Sequence, residues 1–256
     1  MKILNLLLSI LVFAGCEKKD DFKADDIKPA NVLNIAISSD YPPFIYNENG
    51  KLVGFEVELI NVIAKKLGKT IHFHDVDFQD IISTVAKKQV DFAIAAIGHT
   101  KEREKEVDFT VPYHRSMSVI VTSIASTISK IENLSGKTLG FEKGTTYEKY
   151  FTDNKNKEFK NVKQLQRNKF AELFTAMHEG KCQAILTGYS EGHEIQDSNP
   201  DLKIIPIEDT VITFAIAVPK GSALLNQINE IVQEMIKNGE ITKLENQYFK
   251  KIVAEG

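Results

Sequence analysis

The loops that follow the predicted strands carry side chains suited to binding a small zwitterion. The guanidinium group of Arg103 can donate two parallel hydrogen bonds to a carboxylate, and the carboxylate of Asp40 is a candidate acceptor for an ammonium group. The backbone amide beside Gly98 and a hydroxyl of Thr145 or Thr146 would add donors. Ligands of open parallel sheets bind beyond the carboxyl ends of the strands, so we expect these loops to form one site.

Two aromatic residues, Tyr41 and Phe78, lie in these loops rather than on apolar stripes. Such rings suit a wall that stacks on a ligand and excludes water. Each ring could instead fold onto its own part of the protein. Arg103 also has an ordinary explanation, because the charged run from Lys101 to Glu106 is compatible with a solvated helical turn.

Four acidic residues, Asp40, Asp75, Asp77 and Glu142, fall in or beside the same loops. Together they predict an acidic mouth, which would suit a ligand with a cationic side chain. Tyr41 and Phe78 would then sandwich a guanidinium group or an alkyl chain. The hypothesis from these residues is therefore a basic amino acid, arginine or lysine, and the alternative is a polar neutral amino acid such as glutamine.

Strand and helix patterns alternate along the chain and predict an α/β protein with two mostly parallel sheets. The helix predicted over Phe55 to Leu67 has a single apolar face and ends before Gly68. A run from Thr213 to Pro219 reads as one strand, and Ser222 is a candidate cap for a helix reaching Lys237. The other predicted strands and helices are Val32 to Ile37, Thr70 to Val76, Asp80 to Lys88, Val90 to Ala95, Thr138 to Phe141, Thr146 to Phe151, Phe170 to Glu179, Gln183 to Thr187 and Ile241 to Phe249.

The composition argues against several classes of protein. The 256 residues carry a formal net charge of −3 with both signs scattered, so no nucleic-acid surface is expected. The histidines lack metal-ligand spacing, and no nucleophile motif or phosphate loop is present, so we expect no metal, no cofactor and no catalytic residue. A dehydratase or lyase remains an alternative, with Glu142, Asp77, His99 or His114 as acid or base.

The first 16 residues have the features of a targeting signal. Residues 1–15 contain one positive charge and an apolar run that is shorter than the roughly 20 residues of a membrane-spanning helix. The ending Phe13 to Cys16 resembles the cleavage box of bacterial lipoproteins. It predicts a lipoprotein signal peptide over 1–15, lipidation of Cys16, a tether over 16–31 and anchoring to the outer face of a bacterial membrane. An ordinary secretory signal is the alternative.

From Val32 to Phe249 the sequence resembles the polar amino-acid-binding proteins of bacterial ABC importers. No single motif carries the resemblance, but the ordered set is specific. The matching stretches are Tyr41 to Phe44, Gly50 to Leu59, Ala64 to Gly68, Asp91 to Ala95, Thr100 with Arg103, Asp108 to Tyr113, Leu134 to Lys137 and Gly144 to Thr146.

The resemblance implies a two-lobed periplasmic-binding-protein fold with two hinge strands and the ligand in the cleft between the lobes. It implies a first lobe over 32–120 plus 218–256 and a second lobe over 121–217. The expected function is non-enzymatic capture of an amino acid for the importer by a monomer. The ligand-binding residues it implies or permits are Arg103, Tyr41, Phe78, Asp40, Ala95, Ala96, Gly98, Glu142, Thr146 and Thr187.

This sequence departs from the family pattern at Gly188. Many relatives carry an aspartate there, which holds the ammonium group of the ligand. Glu191, Thr187 or a main-chain carbonyl could take that place, and the sequence does not decide among them.

Overall fold

The computed structural model describes residues 31–249. The predicted signal peptide over 1–15, Cys16 and the tether up to residue 30 lie outside the described residues, so these predictions are not tested by the fold.

Thirteen strands and seven α-helices occur within the described part of the chain. The strands are β1 Val32–Ile37, β2 Asp40–Tyr41, β3 Ile45–Glu48, β4 Lys51–Val53, β5 Thr70–Asp75, β6 Phe92–Ala93, β7 Val107–Phe109, β8 His114–Ser123, β9 Thr138–Glu142, β10 Lys163–Arg167, β11 Ala184–Gly188, β12 Leu202–Phe214 and β13 Ala217–Pro219. The helices are α1 Phe55–Leu67, α2 Ile81–Ala86, α3 Thr146–Asn154, α4 Phe170–His178, α5 Tyr189–Ser198, α6 Leu224–Lys237 and α7 Glu240–Tyr248.

The first sheet has the strand order β5-β1-β6-β13-β7. Strand β1 is an interior strand of this sheet and almost wholly buried, and it pairs in parallel with β5 and β6. After β1 the chain forms the small β2-β3-β4 sheet and then helix α1, which leads to β5. Helix α1 ends at Gly68, which adopts the left-handed conformation with a φ of 64°. This strand–helix–strand unit places the carboxyl ends of β1, β5 and β6 at one edge.

The second sheet has the order β10-β9-β11-β8-β12. Strands β9, β10 and β11 pair in parallel, whereas the long strands β8 and β12 pair antiparallel with each other. The chain passes between the two sheets twice, between Phe109 and His114 and between Phe214 and Ala217. We refer to the parts built on the two sheets as the first and second lobes; the residue limits predicted for them from the sequence stay a prediction.

Several predicted elements differ from those observed. The run Thr213 to Pro219 is two strands in different sheets, because β12 ends at Phe214 and β13 begins at Ala217. Ser222 lies one residue before the helix cap position, where its Oγ accepts a hydrogen bond from Leu224 N at 3.3 Å. Ile236 of α6 is apolar but does not lie on the buried face of the helix, since it is 47% exposed.

Within residues 31–249 no helix combines the length and apolar character that crossing a membrane requires. The same residues contain no group of three or more histidine, cysteine or acidic side chains arranged to hold a metal ion.

Candidate functional site

A pocket lies between the two lobes at the carboxyl ends of their strands. The space among its lining residues, including the part open to solvent, is about 330 Å³. Residues of the first lobe form one side and residues of the second lobe form the other. The lining residues are Ser38, Asp40, Tyr41, Phe78, Ala95, Ala96, Glu142, Thr145, Thr146 and Tyr147.

Strand ends and helix starts position these side chains. Ser38 directly follows β1, Phe78 opens a short 3-10 turn after β5, and Glu142 is the last residue of β9. Thr145 caps α3, since its Oγ1 accepts a hydrogen bond from Glu148 N at 3.2 Å and donates one to the Glu142 carbonyl at 2.7 Å. The cap therefore ties the loop that carries Glu142 to the start of the helix.

The backbone at Ala96 is held by a buried carboxylate behind the pocket. Ala96 has a φ of 47°, which non-glycine residues rarely adopt, and its N–H donates to Glu56 Oε1 at 2.6 Å. The Tyr113 hydroxyl donates to the same oxygen. Burial raises the pKa of Glu56 to about 7, and the two donors oppose that rise. Glu56 on α1 thereby fixes the shape of the Ala95–Ala96 wall.

Arg103 lies beside this pocket and joins the two lobes. Its Nη1 donates to the Gly98 carbonyl at 2.6 Å, and its Nη2 donates to the Gly144 carbonyl of the second lobe at 2.7 Å. Its guanidinium carbon lies 5.5 Å from the centre of the Phe78 ring, a cation–π distance. Burial lowers the pKa of Arg103 to about 10, so the side chain remains a cation at neutral pH.

Aromatic rings from both lobes meet in the pocket. The Tyr41 ring packs edge-on against Phe170 with 5.1 Å between ring centres, and the hydroxyl oxygens of Tyr41 and Tyr147 are 3.4 Å apart. Both tyrosines are buried, and burial raises their pKa values well above the usual range. They therefore remain neutral hydroxyl groups at any physiological pH.

The four acidic residues differ in burial and position, and only Asp40 and Glu142 line the pocket. Glu142 is 5% exposed, and burial raises its pKa to about 9, with a further contribution from Asp40. Asp40 Oδ2 accepts a hydrogen bond from Phe170 N of the second lobe at 3.1 Å. Neither Asp77 nor Asp75 lines the pocket: Asp77 Oδ1 lies 3.7 Å from Lys169 Nζ, and Asp75 accepts hydrogen bonds from Ser39.

Glycines allow the lobes to approach closely. A Cβ atom at Gly98 would overlap the Thr146 methyl group, and one at Gly144 would lie 2.8 Å from the Gln79 Cα. Gly144 also has a φ of 75°. Together with the Arg103–Gly144 hydrogen bond, these approaches place the lobes in direct contact around the pocket.

Residues 33–251 match the model of the bacterial extracellular solute-binding proteins, family 3. The chain belongs to this family. The membership confirms the resemblance drawn from the sequence motifs, and it confirms a binding protein rather than an enzyme, since the family is one of solute-binding proteins.

The chain is also similar in sequence and structure to individual members of the solute-binding family. The chain is 34% identical to the arginine-binding extracellular protein ArtP of Bacillus subtilis over 85% of this chain and 86% of that protein. An ancestral arginine-binding protein bound to arginine has a TM-score of 0.80 at 33% identity, covering 86% of this chain and 99% of the other. A structure of an ancestral arginine-binding protein bound to glutamine has a TM-score of 0.79, with the same identity and coverage. These structures confirm the two-lobed α/β fold.

Seven of the ten residues expected to bind ligand in this solute-binding protein line the pocket. Arg103 and Gly98 lie beside it, and Thr187 is buried behind it with no hydrogen-bond partner for its hydroxyl among the described residues. Their roles toward a ligand stay predictions. Ser38 and Tyr147 also line the pocket but were not predicted as site residues. Ser38 directly follows β1, and Tyr147 directly follows Thr146, the first residue of α3.

Proposed function

We propose that this protein captures a basic amino acid, arginine or lysine, outside the cell membrane and delivers it to an ABC importer. The observation that carries the proposal is the Glu142 carboxyl group, which is buried in the pocket wall with Asp40 on the opposite lobe. The pocket lining contains no cationic residue, and a guanidinium or ammonium group placed there would favour the ionised form of this buried acid and pair with it. The arginine-binding relatives support the same ligand class.

The remaining groups fit the rest of an amino acid. Arg103 has five N–H donors, so it can keep its bond to the Gly98 carbonyl and still donate to a ligand carboxylate. Tyr41 and Phe78 would pack against the aliphatic part of the side chain. Binding would bridge the lobes and favour their closure, the state that an importer would recognise.

A polar neutral amino acid is the second candidate, and one observation favours it. Because the pKa of Glu142 is about 9 without a ligand, its carboxyl group is mostly protonated at neutral pH and could hydrogen-bond an amide. The relative that was solved with glutamine supports this alternative.

The location of the protein is part of the same proposal. Cleavage before Cys16 and lipidation of its thiol would anchor a monomer to the outer face of the membrane, with 16–31 as the tether. Two acyl chains on one cysteine are enough for stable attachment. The description of the family as extracellular supports this placement.

Thermal unfolding of the chain from residue 17 onward, measured with each common amino acid in turn, tests the proposed ligand class. A ligand at about a hundred times its Kd adds roughly 2.7 kcal/mol to the free energy of unfolding, or about 5–10 °C in Tm. We expect this rise with arginine or lysine. A rise confined to neutral amino acids would move the assignment to the second candidate, and no rise with any amino acid would contradict the proposed function.

A further inference from the structure

Glu191 is a buried carboxylate that the pocket description leaves unexplained. It lies in the first turn of α5 and is 0% exposed. Neither of its oxygens has a hydrogen-bond partner among the described residues. The neighbouring Thr187 hydroxyl, at the end of β11, is also buried without a partner. Three buried oxygen atoms therefore lack a hydrogen bond of good geometry among the described residues, and the Tyr41 hydroxyl interacts with both side chains that carry them.

These acceptors lie directly behind two tyrosines that line the pocket. A Cβ atom at Gly188 would overlap both Glu191 Oε2 and the Tyr147 hydroxyl oxygen. These two oxygens are therefore neighbours, and they fill the space that a side chain at 188 would need. The Tyr41 hydroxyl, 3.4 Å from that of Tyr147, lies close enough to lower the pKa of Glu191 without forming a hydrogen bond of good geometry.

A carboxylate in such a place needs a cation or a proton. Burial raises the pKa of Glu191 to about 7, its own backbone N–H and the Tyr41 hydroxyl lower it, and the buried carboxylate of Glu56 raises it. Without a ligand, the group is thus poised between its two forms at neutral pH. An arriving cation would favour the ionised form and be held strongly in this low-dielectric setting.

We propose that the Glu191 carboxylate, assisted by the Thr187 hydroxyl, binds the α-ammonium group of the ligand. An ammonium group has three N–H donors, and the two Glu191 oxygens and the Thr187 hydroxyl could accept them. Tyr41 belongs to the first lobe and Tyr147 to the second, so separation of the lobes would part the two hydroxyls and uncover Glu191. The proposal rests on the proposed function, because it needs an amino acid in this pocket.

Glu191→Gln tests the charge while keeping the size of the side chain. The probes are arginine and 5-guanidinopentanoate, which is arginine without its α-amino group. Loss of a charge-assisted hydrogen bond weakens binding roughly tenfold to a hundredfold, so we expect that loss for arginine and no loss for the analogue. Glu194→Gln, an exposed residue of the same helix, is the matched control and should bind both probes as the unaltered protein does.

A second pair of variants moves the carboxylate from residue 191 to residue 188. Gly188→Asp alone should abolish arginine binding, because its side chain would overlap Glu191 and add a like charge. Combining it with Glu191→Ala removes both conflicts, and we expect the double variant to recover arginine affinity to within about tenfold of the unaltered protein.

The outcomes separate this inference from the proposed function. If the unaltered protein binds no amino acid in calorimetry, both are overturned. If it binds arginine but Glu191→Gln binds equally well, or loses arginine and the analogue to the same extent while remaining folded by circular dichroism, only the role of Glu191 is overturned. A folded double variant that binds no better than Gly188→Asp would also contradict it.

Discussion

Arg103→Ala is expected to lower the affinity for the amino-acid ligand at least a hundredfold while the protein remains folded. The guanidinium group would lose two charge-assisted hydrogen bonds to the ligand carboxylate, each contributing about 1.5–3 kcal/mol, and tenfold in affinity corresponds to about 1.4 kcal/mol. The variant would also lose the Nη2 bond to the Gly144 carbonyl that joins the lobes. Titration calorimetry with arginine measures the loss.

Two further variants serve as comparisons for the binding loss expected in Arg103→Ala. Arg103→Lys keeps the charge but not the planar pair of donors, so we expect a loss between those of the unaltered protein and the alanine variant. Arg115→Ala removes an exposed arginine of β8 and should bind normally. If Arg103→Ala binds arginine within threefold of the unaltered protein, Arg103 does not bind the carboxylate.

Glu142→Gln is expected to lower arginine affinity about a hundredfold and to leave glutamine affinity within a fewfold. The substitution keeps the shape of the side chain but removes the charge that would pair with a guanidinium group, and breaking a buried charge pair costs about 2–5 kcal/mol. Calorimetry with both ligands measures the change in selectivity. Glu172→Gln, on the exposed face of α4, is the control.

The pH dependence of arginine binding gives an independent check on Glu142. Its pKa is raised to about 9, mainly by burial and also by Asp40, Asp77 and Glu191, while Lys169 opposes the rise. Below that pKa, the carboxyl group must release a proton before it can pair with a cation, so arginine affinity should rise from pH 7 to 8.5 by up to about tenfold per pH unit. The rise should flatten in Glu142→Gln. Equal effects of the substitution on arginine and glutamine would contradict a charge-selective role.

Sequence patterns predicted the elements that bury one regular face. The strand Val32–Ile37 and the helix Phe55–Leu67 have the bounds predicted for them, because each has an apolar pattern of clear period and a turn residue at its end. Strand β10, Lys163–Arg167, carries no such pattern, since it lies at the edge of the second sheet with two exposed and three half-buried residues.

The break between β12 and β13 shows what local sequence does not contain. The run from Thr213 to Pro219 is continuously apolar or β-branched, which predicts one strand. Its division depends on distant partners, since the Ile97 carbonyl accepts from Ala215 N and the Phe214 carbonyl accepts from Tyr113 N. The point at which the chain passes from one sheet to the other is therefore set by tertiary hydrogen bonds.

The same distinction holds for the site. Tyr41 and Phe78 were predicted because aromatic residues in loops are conspicuous, whereas Tyr147 was assigned to its helix and its pocket-facing position was missed. The burial of Glu191 could not be predicted, because it depends on α5, a helix absent from the sequence interpretation, and on the space left by Gly188.

Calorimetric titration of the ligand-free protein with arginine and with glutamine, at pH 7.5 in two buffers of different ionisation enthalpy, tests the proposed basic ligand most directly. We predict a Kd for arginine at least tenfold below that for glutamine, with net release of protons on arginine binding as the buried carboxyl groups ionise. Tighter binding of glutamine, or arginine binding without proton release, would contradict the account.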